Sequence, residues 1–302
     1  MKLLPFAFCL LPFAFPAPSA AQVFTFTKEQ LIEYTQKNPF DRFEDGRPKV
    51  PDALLEKCKD LSAEEVWAVL PGAKFRNQYE GNWQILHPEK KLVGRAVTAQ
   101  FMPYRPDVAD VSEAHAQARA RGNGRERDNA NQRVIDSLQP GDVLVVDLFG
   151  KIEDGTIVGD NLATAIYAET KTGLVVDGAV RDLEGIFPIG MPLYARGAHP
   201  TPIGNVMLTG VNVPIRIGSA TVMPGDVVFG DREGVYFIPP QLVQKVLDKA
   251  DITHIHDEWT KMKLLTGKYK SSEIYPSPTD PALKKEYQEY LEKKLGHKAS
   301  AE

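Results

Sequence analysis

The sequence predicts an α/β domain on a mixed sheet over about residues 50–252, and three features predict it. Short β-branched runs such as LVGRAVTAQF (92–101) and GDVLVVDLFG (141–150) are bounded by Gly, Pro and Asp, as strands are. Segments with apolar residues at helical spacing alternate with such runs, so helices and strands interleave instead of occupying separate halves. The composition, 43% hydrophobic and 25% charged over 302 residues, suffices to bury a core of that extent.

Taken in chain order, residues 1–21 join Lys2, an apolar run from Leu3 to Phe15 and small residues around Ser19 to Ala21, the pattern of a secretory signal peptide. An uncleaved anchor or a misassigned start codon are the alternatives. The run is short for a bilayer span and is broken by Pro5 and Pro12, so the expected product is periplasmic or secreted, with no membrane association after cleavage. Cys9 lies in this segment, which leaves Cys58 without an intramolecular disulfide partner.

Residues 22–49 are polar and turn-rich, with a short helical pattern from Glu29 to Gln36, and read as an arm added to the domain. Residues 52–58 and 62–70 predict two helices, the second opened by the capping residues of Asp60-Leu61-Ser62-Ala63-Glu64-Glu65. Between the first two strands, residues 113–133 carry Arg119, Arg121, Arg125, Arg127 and Arg133 among acidic residues without any aromatic. That mixture reads as a solvated helix or loop, and with a net charge of −4 the chain predicts no nucleic-acid partner.

Pro140-Gly141-Asp142-Val143, with Asp147 and Gly150, recurs at the same spacing as Pro224-Gly225-Asp226-Val227, with Asp231 and Gly234. Either one β-unit is used twice, or turn chemistry alone produces the echo. Between the copies, residues 155–186 predict strand, helix, strand, helix, and β-rich runs follow to residue 240. Residues 253–302 form a helical extension with an amphipathic stretch at 281–295, expected to pack on its own domain or a neighbouring subunit.

Chemistry concentrates in Gly159-Asp160-Asn161-Leu162, which enters an Ala-rich helix, and in Arg181-Asp182 after 20 intervening residues. Amides at a helix N-terminus can hold a carboxylate, Arg181 offers paired donors to a carboxylate or enolate oxygen, and Asp182 and Asp160 are hard oxygen groups suited to Mg²⁺ or Mn²⁺. The alternative is a surface Arg–Asp pair beside an aspartate that caps a helix.

The pattern GDNLATAIYAETKTGLVVDGAVRD, with PGDVLVVD before it and VMPGDVVFGDREGVYFIPP after it, resembles the RraA-like family over about residues 50–252. That family includes 4-hydroxy-4-methyl-2-oxoglutarate aldolases, which also decarboxylate oxaloacetate, and protein regulators of RNase E. The resemblance implies a compact β/β/α fold similar to the swivelling phosphohistidine domains, assembled as homotrimers or homohexamers with sites between subunits. It implies that Asp182 binds the metal, that Arg181 binds the pyruvyl unit of a small 2-oxo acid, and that Asp160 contacts metal-bound water. The amides of Gly159, Asp160, Asn161 and Leu162 would hold the substrate carboxylate. Asp231 and Glu233 are candidates for acids completing a neighbour's site.

His254 and His256 are two apart, a spacing that points rings away from each other on a helix, and His199 reads as a loop residue. Cys58 has no activating motif nearby. The sequence carries no G-x-G-x-x-G or Walker pattern, which disfavours nucleotide chemistry and a methyl-transfer reading. A non-catalytic binding protein on the same fold is the competing class. An exported chain would not meet a cytoplasmic ribonuclease, and Asp160, Arg181 and Asp182 would then lack a purpose.

Overall fold

The structure, a computed structural model, describes residues 24–111 and 129–296. The leader-like segment, most of the arginine-rich stretch and the last six residues lie outside the described residues.

The arm begins where Phe24 bridges to Gly210 and continues through α1 (Lys28–Tyr34), opened by a capping box between Thr27 and Gln30. It then buries Arg47, whose guanidinium donates to both carboxylate oxygens of Asp142 at 2.6 and 3.1 Å. Two helices follow, α2 (Asp52–Cys58) and α3 (Ala63–Trp67). Ser62 caps α3 reciprocally with Glu65. Replacing Ser62 by Ala leaves an N-terminal amide without its acceptor, so urea unfolding is expected to show a loss of about 1 kcal/mol.

Among the described residues eleven strands form the β framework: β1 (Tyr79–Glu80), β2 (Gln84–Leu86), β3 (Leu92–Pro103), β4 (Asp142–Thr156), β5 (Leu174–Val180), β6 (Leu193–Ala198), β7 (Val206–Val211), β8 (Ile215–Ile217), β9 (Ala220–Val222), β10 (Val227–Gly230) and β11 (Val235–Ile238). The main sheet runs β1-β11-β10-β3-β4-β5-β6-β2, with β7 paired to β3 and β8–β9 a separate hairpin. Strands β3 to β6 are mutually parallel, and β10 and β7 lie antiparallel to β3. Parallel strands covered on both faces are buried along their length, as β5 is at every position, Asp177 included.

Alternate residues of β4 separate the core into layers. Leu144, Val146 and Leu148 face α4 (Ala130–Ile135), α5 (Asp160–Thr170) and α6 (Leu183–Ile186), while Val143 and Val145 join the hairpin residues Ile215, Ile217 and Val222 on the other face. A third cluster packs α2, α3 and α7 (Val243–Leu264) on β10 and β11 through Val66, Leu247, Phe229 and Ile238. The expected boundary at residue 252 falls inside α7, so the extension starts as the continuation of a domain helix and not at a linker. Beyond it, α8 (Ser271–Ile274) and α9 (Pro281–Leu295) fold back on α7, and Lys263–Glu286 and Lys294–Glu258 ion pairs fasten α9.

The sequence echo is a structural one. Gly141 and Gly225 both take left-handed φ, +82° and +86°, and both following aspartates accept from the backbone three residues earlier, Gln139 at 2.9 Å and Met223 at 2.8 Å. Asp147 and Asp231 each accept the N–H two residues on.

Candidate active site

Strands β4 and β5 are parallel neighbours, so the loops leaving their C-terminal ends open on the same edge of the sheet. Asp160 starts α5 after β4, and Arg181 and Asp182 leave β5 into α6. The two ends are stitched by backbone bonds from Ile157 to Ala179 at 3.0 Å and from Arg181 to Val158 at 3.1 Å.

Two glycines set how closely these ends meet. A Cβ at Gly159 would stand 2.4 Å from Asp182 Oδ2 and 3.3 Å from Arg181 Nε, and one at Gly185 would stand 2.6 Å from Asp160 Oδ2. The N-termini of α5 and α6 therefore interlock, each glycine backing onto the other helix's aspartate. Sequence reading singled out Gly159 but missed Gly185. Its signal was a glycine inside a helical segment, a placement that costs stability unless close packing requires it.

Asp182 sits at φ +57°, a left-handed conformation that aspartate tolerates better than most residues. Its Oδ2 lies 3.5 Å from Arg181 Nε, with the Asp182 side chain 47% and the Arg181 side chain 40% exposed. An ion pair so open to water contributes little to stability, which leaves both groups free to engage a ligand. Asp160 Oδ1 accepts the N–H of Asn161 at 2.8 Å, so that amide is engaged within the turn. The Asp160 and Leu162 amides keep no acceptor among the described residues. Of the four amides expected to receive a carboxylate, Asn161 is thus the exception.

Beside this edge lies a cleft of about 480 Å³ lined by Asn161 and Leu162, by Asn129, Asn131 and Gln132 around the start of α4, and by Ile203. His199 ends up closer to the edge than its loop reading suggested. Its N–H donates to the Val180 carbonyl at 3.0 Å and its Nδ1 pairs with Thr201 Oγ1.

Other candidates are placed elsewhere. Gly230 pairs with Leu92, the first residue of β3, so Asp231 and Glu233 lie at the opposite end of the parallel strands from Arg181. Asp231 is buried and occupied: its Oδ2 accepts from Ala63 N at 3.1 Å and Lys91 Nζ at 3.4 Å, and its carbonyl accepts from Tyr194. Within one protomer neither acid completes the site. His254 pairs with buried Glu65 at 2.5 Å, linking α7 to α3. Cys58 is buried and its thiol is pushed up to about 12 by desolvation, which makes it unreactive.

The residues suit a hard divalent cation. Asp182 is half exposed, its Oδ2 seated against Gly159 where a side chain would otherwise stand, and Asp160 supplies a second carboxylate nearby. Among the described residues no three His, Cys, Asp or Glu side chains converge. Few protein oxygens with room for water is the pattern of Mg²⁺ or Mn²⁺ binding, whereas zinc favours closed nitrogen and sulfur sets.

The chain resembles known proteins. A provisionally named 4-hydroxy-4-methyl-2-oxoglutarate aldolase of Halalkalibacterium halodurans is 36% identical over 124 residues, 39% of this chain and 56% of that protein. A protein with the same provisional name from Azotobacter vinelandii is 32% identical over 108 residues, 36% of this chain and 66% of that protein. The match to these curated relatives thus spans under two thirds of their length. The crystal structure of RraAS2 from Streptomyces coelicolor, titled an unusual member of the RNase ES inhibitor RraA protein family, superposes with TM-score 0.59 at 26% identity. That superposition covers 75% of this chain and all of the other. The RraA-like family, described as Aldolase/RraA, matches residues 54–237. With its interlocked helix ends at the C-terminal edge of a parallel sheet, the chain belongs to the RraA-like family.

Proposed function

We propose that the protein is a divalent-metal-dependent lyase that cleaves a 4-hydroxy-2-oxo acid of the 4-hydroxy-4-methyl-2-oxoglutarate type to pyruvate, and decarboxylates oxaloacetate at the same site. The observation that carries this reading is the convergence of Asp160, Arg181 and Asp182 through the reciprocal packing of Gly159 and Gly185. Asp182 would hold Mg²⁺ or Mn²⁺, with Asp160 facing its water shell. When bound, the cation supplies Lewis-acid polarisation of the 2-oxo group.

The chain's own residues do the rest. The free amides at the start of α5, with the helix dipole behind them, hold the substrate carboxylate. Arg181 donates to the keto oxygen, and its charge stabilises the enolate left when the C3–C4 bond breaks. Asp160 orients a water that takes the C4 hydroxyl proton, and a proton then returns to C3 to give pyruvate. The carboxamides of Asn129, Gln132 and Asn161 line the cleft that would receive the departing carbonyl half. As in the family the chain resembles, we place the working site in a homotrimer or homohexamer, where a neighbouring protomer could bring acids such as Glu233 within reach. The leader-like residues 1–21 support a periplasmic or secreted enzyme.

The test is pyruvate release from 4-hydroxy-4-methyl-2-oxoglutarate and from oxaloacetate with Mg²⁺, Mn²⁺ or chelator. Turnover is expected with either metal, to stop on chelation, and to fall at least about 100-fold in Asp182→Ala. A folded, metal-loaded oligomer inert on both substrates would instead favour a non-catalytic binding protein on this fold.

A further inference from the structure

The two Pro-Gly-Asp-Val turns are built alike, yet their aspartates meet different fates. Both are almost completely buried, at 0% exposure for Asp142 and 3% for Asp226. Asp142 receives Arg47 from the arm in a two-point contact, and Arg47 is itself 2% exposed. The next arm residue, Pro48, lies against the second turn, where a Cβ on Gly225 would stand 2.6 Å from Pro48 Cδ. The arm thus reaches both turns but gives its cation to one. The Asp226 carboxylate accepts one hydrogen bond, from Met223 N–H, and has no ion pair among the described residues.

Asp226 lines a cavity of about 290 Å³ between the sheet and the arm. Gln78 and Thr221 share the sheet side, and Tyr34 to Lys37 at the end of α1 form the opposite wall. Gln78 is 9% exposed and spends its side-chain N–H groups on the carbonyls of Thr221 and Phe237, so its amide is fixed in place. A volume of this size holds a molecule of several heavy atoms.

We propose that this cavity binds a small organic cation, a primary ammonium or guanidinium compound, whose charge meets Asp226 as Arg47 meets Asp142. A cation beside a buried carboxylate offsets much of the cost of keeping it ionised there. Burial pushes the Asp226 carboxyl up to about 7, and the ligand, preferring the ionised form, would draw it back down. Affinity therefore rises with pH through that value. The other titratable groups on the cavity wall are Tyr34 and Lys37, both on the exposed arm.

The experiment is calorimetric titration of the full chain with n-propylammonium and methylguanidinium chloride, against sodium chloride at equal ionic strength. Saturable binding of at least one probe is expected at pH 8, at least about tenfold weaker at pH 5.5, where little of the carboxyl is ionised. Asp226→Asn should abolish it and leave pyruvate release unchanged. Thr221→Trp, which fills the cavity from its exposed side with Asp226 intact, should also block it and serves if the Asn variant does not fold. Lys37→Gln should bind as well as or better than the wild type. Heat that does not saturate, that matches sodium chloride, that survives in Thr221→Trp, or that disappears in Lys37→Gln overturns the proposal.

Discussion

Gly159→Ala is expected to fold normally and to lose about 100-fold or more in kcat/KM for pyruvate release. The backbone at Gly159 has φ −107° and ψ −166°, an extended conformation open to alanine, so the substitution carries no intrinsic backbone strain. Its sharpest conflict is local: the new methyl would lie 2.4 Å from Asp182 Oδ2, well inside van der Waals contact, and 3.3 Å from Arg181 Nε. The carboxylate must turn away or α5 must lift off α6, and displacements of about 1 Å at a reacting centre can cost about two orders of magnitude. Unchanged melting together with collapsed turnover would identify this packing as a positioning device. Full activity in Gly159→Ala would mean that the observed setting of Asp182 is not the one the reaction uses. Gly185→Ala makes the parallel test on Asp160, whose Cβ would lie 2.7 Å from the added methyl.

Arg47→Met is expected to destabilise the domain by about 3–5 kcal/mol, the usual consequence of removing one member of a fully buried ion pair. Asp142 would be left at 0% exposure with the Gln139 backbone N–H as the remaining donor to its carboxylate, while the Ala96 carbonyl would lose a 3.4 Å contact from the same guanidinium. The double variant Arg47→Met, Asp142→Asn should regain a substantial part of that loss, because the stranded charge goes with its partner. Chemical denaturation of the four proteins in this cycle measures the coupling directly. Additive losses in the double variant would show that Arg47 acts by packing on Phe43, over whose ring it lies at 4.4 Å, and not through charge.

The central strands and the helices on either side of β5 are legible in sequence because their periodicities and caps are local. The four-residue signature around Gly159 and the Arg181–Asp182 pair are likewise visible, since both sit at strand-to-helix transitions that turn chemistry marks. What brings them together is not local. Gly185 matters only because another helix end lies against it, and Arg47 reaches its partner across 95 residues. The boundary expected at residue 252 falls within α7 for a different reason. The apolar positions Val243, Val246, Leu247 and Ala250 give way to a more polar face as α7 leaves the core, so burial changes while the helix does not. Composition tracks the former. Asp231 reads from sequence like a spare acid, whereas its use as an acceptor for the start of α3 depends on a contact 168 residues away.

The continuity of α7 has a mechanical consequence. A helix of 22 residues is a rod of about 33 Å. Its root is clamped in the core by Val243 and Val246, and its far half carries the fully buried Trp259 against Tyr287 of α9. The C-terminal extension is therefore a cantilever with a fixed bearing, and its outer surface keeps a set angle to the sheet. A cut at residue 252 would sever the rod at mid-span and also remove His254, the prop beneath buried Glu65.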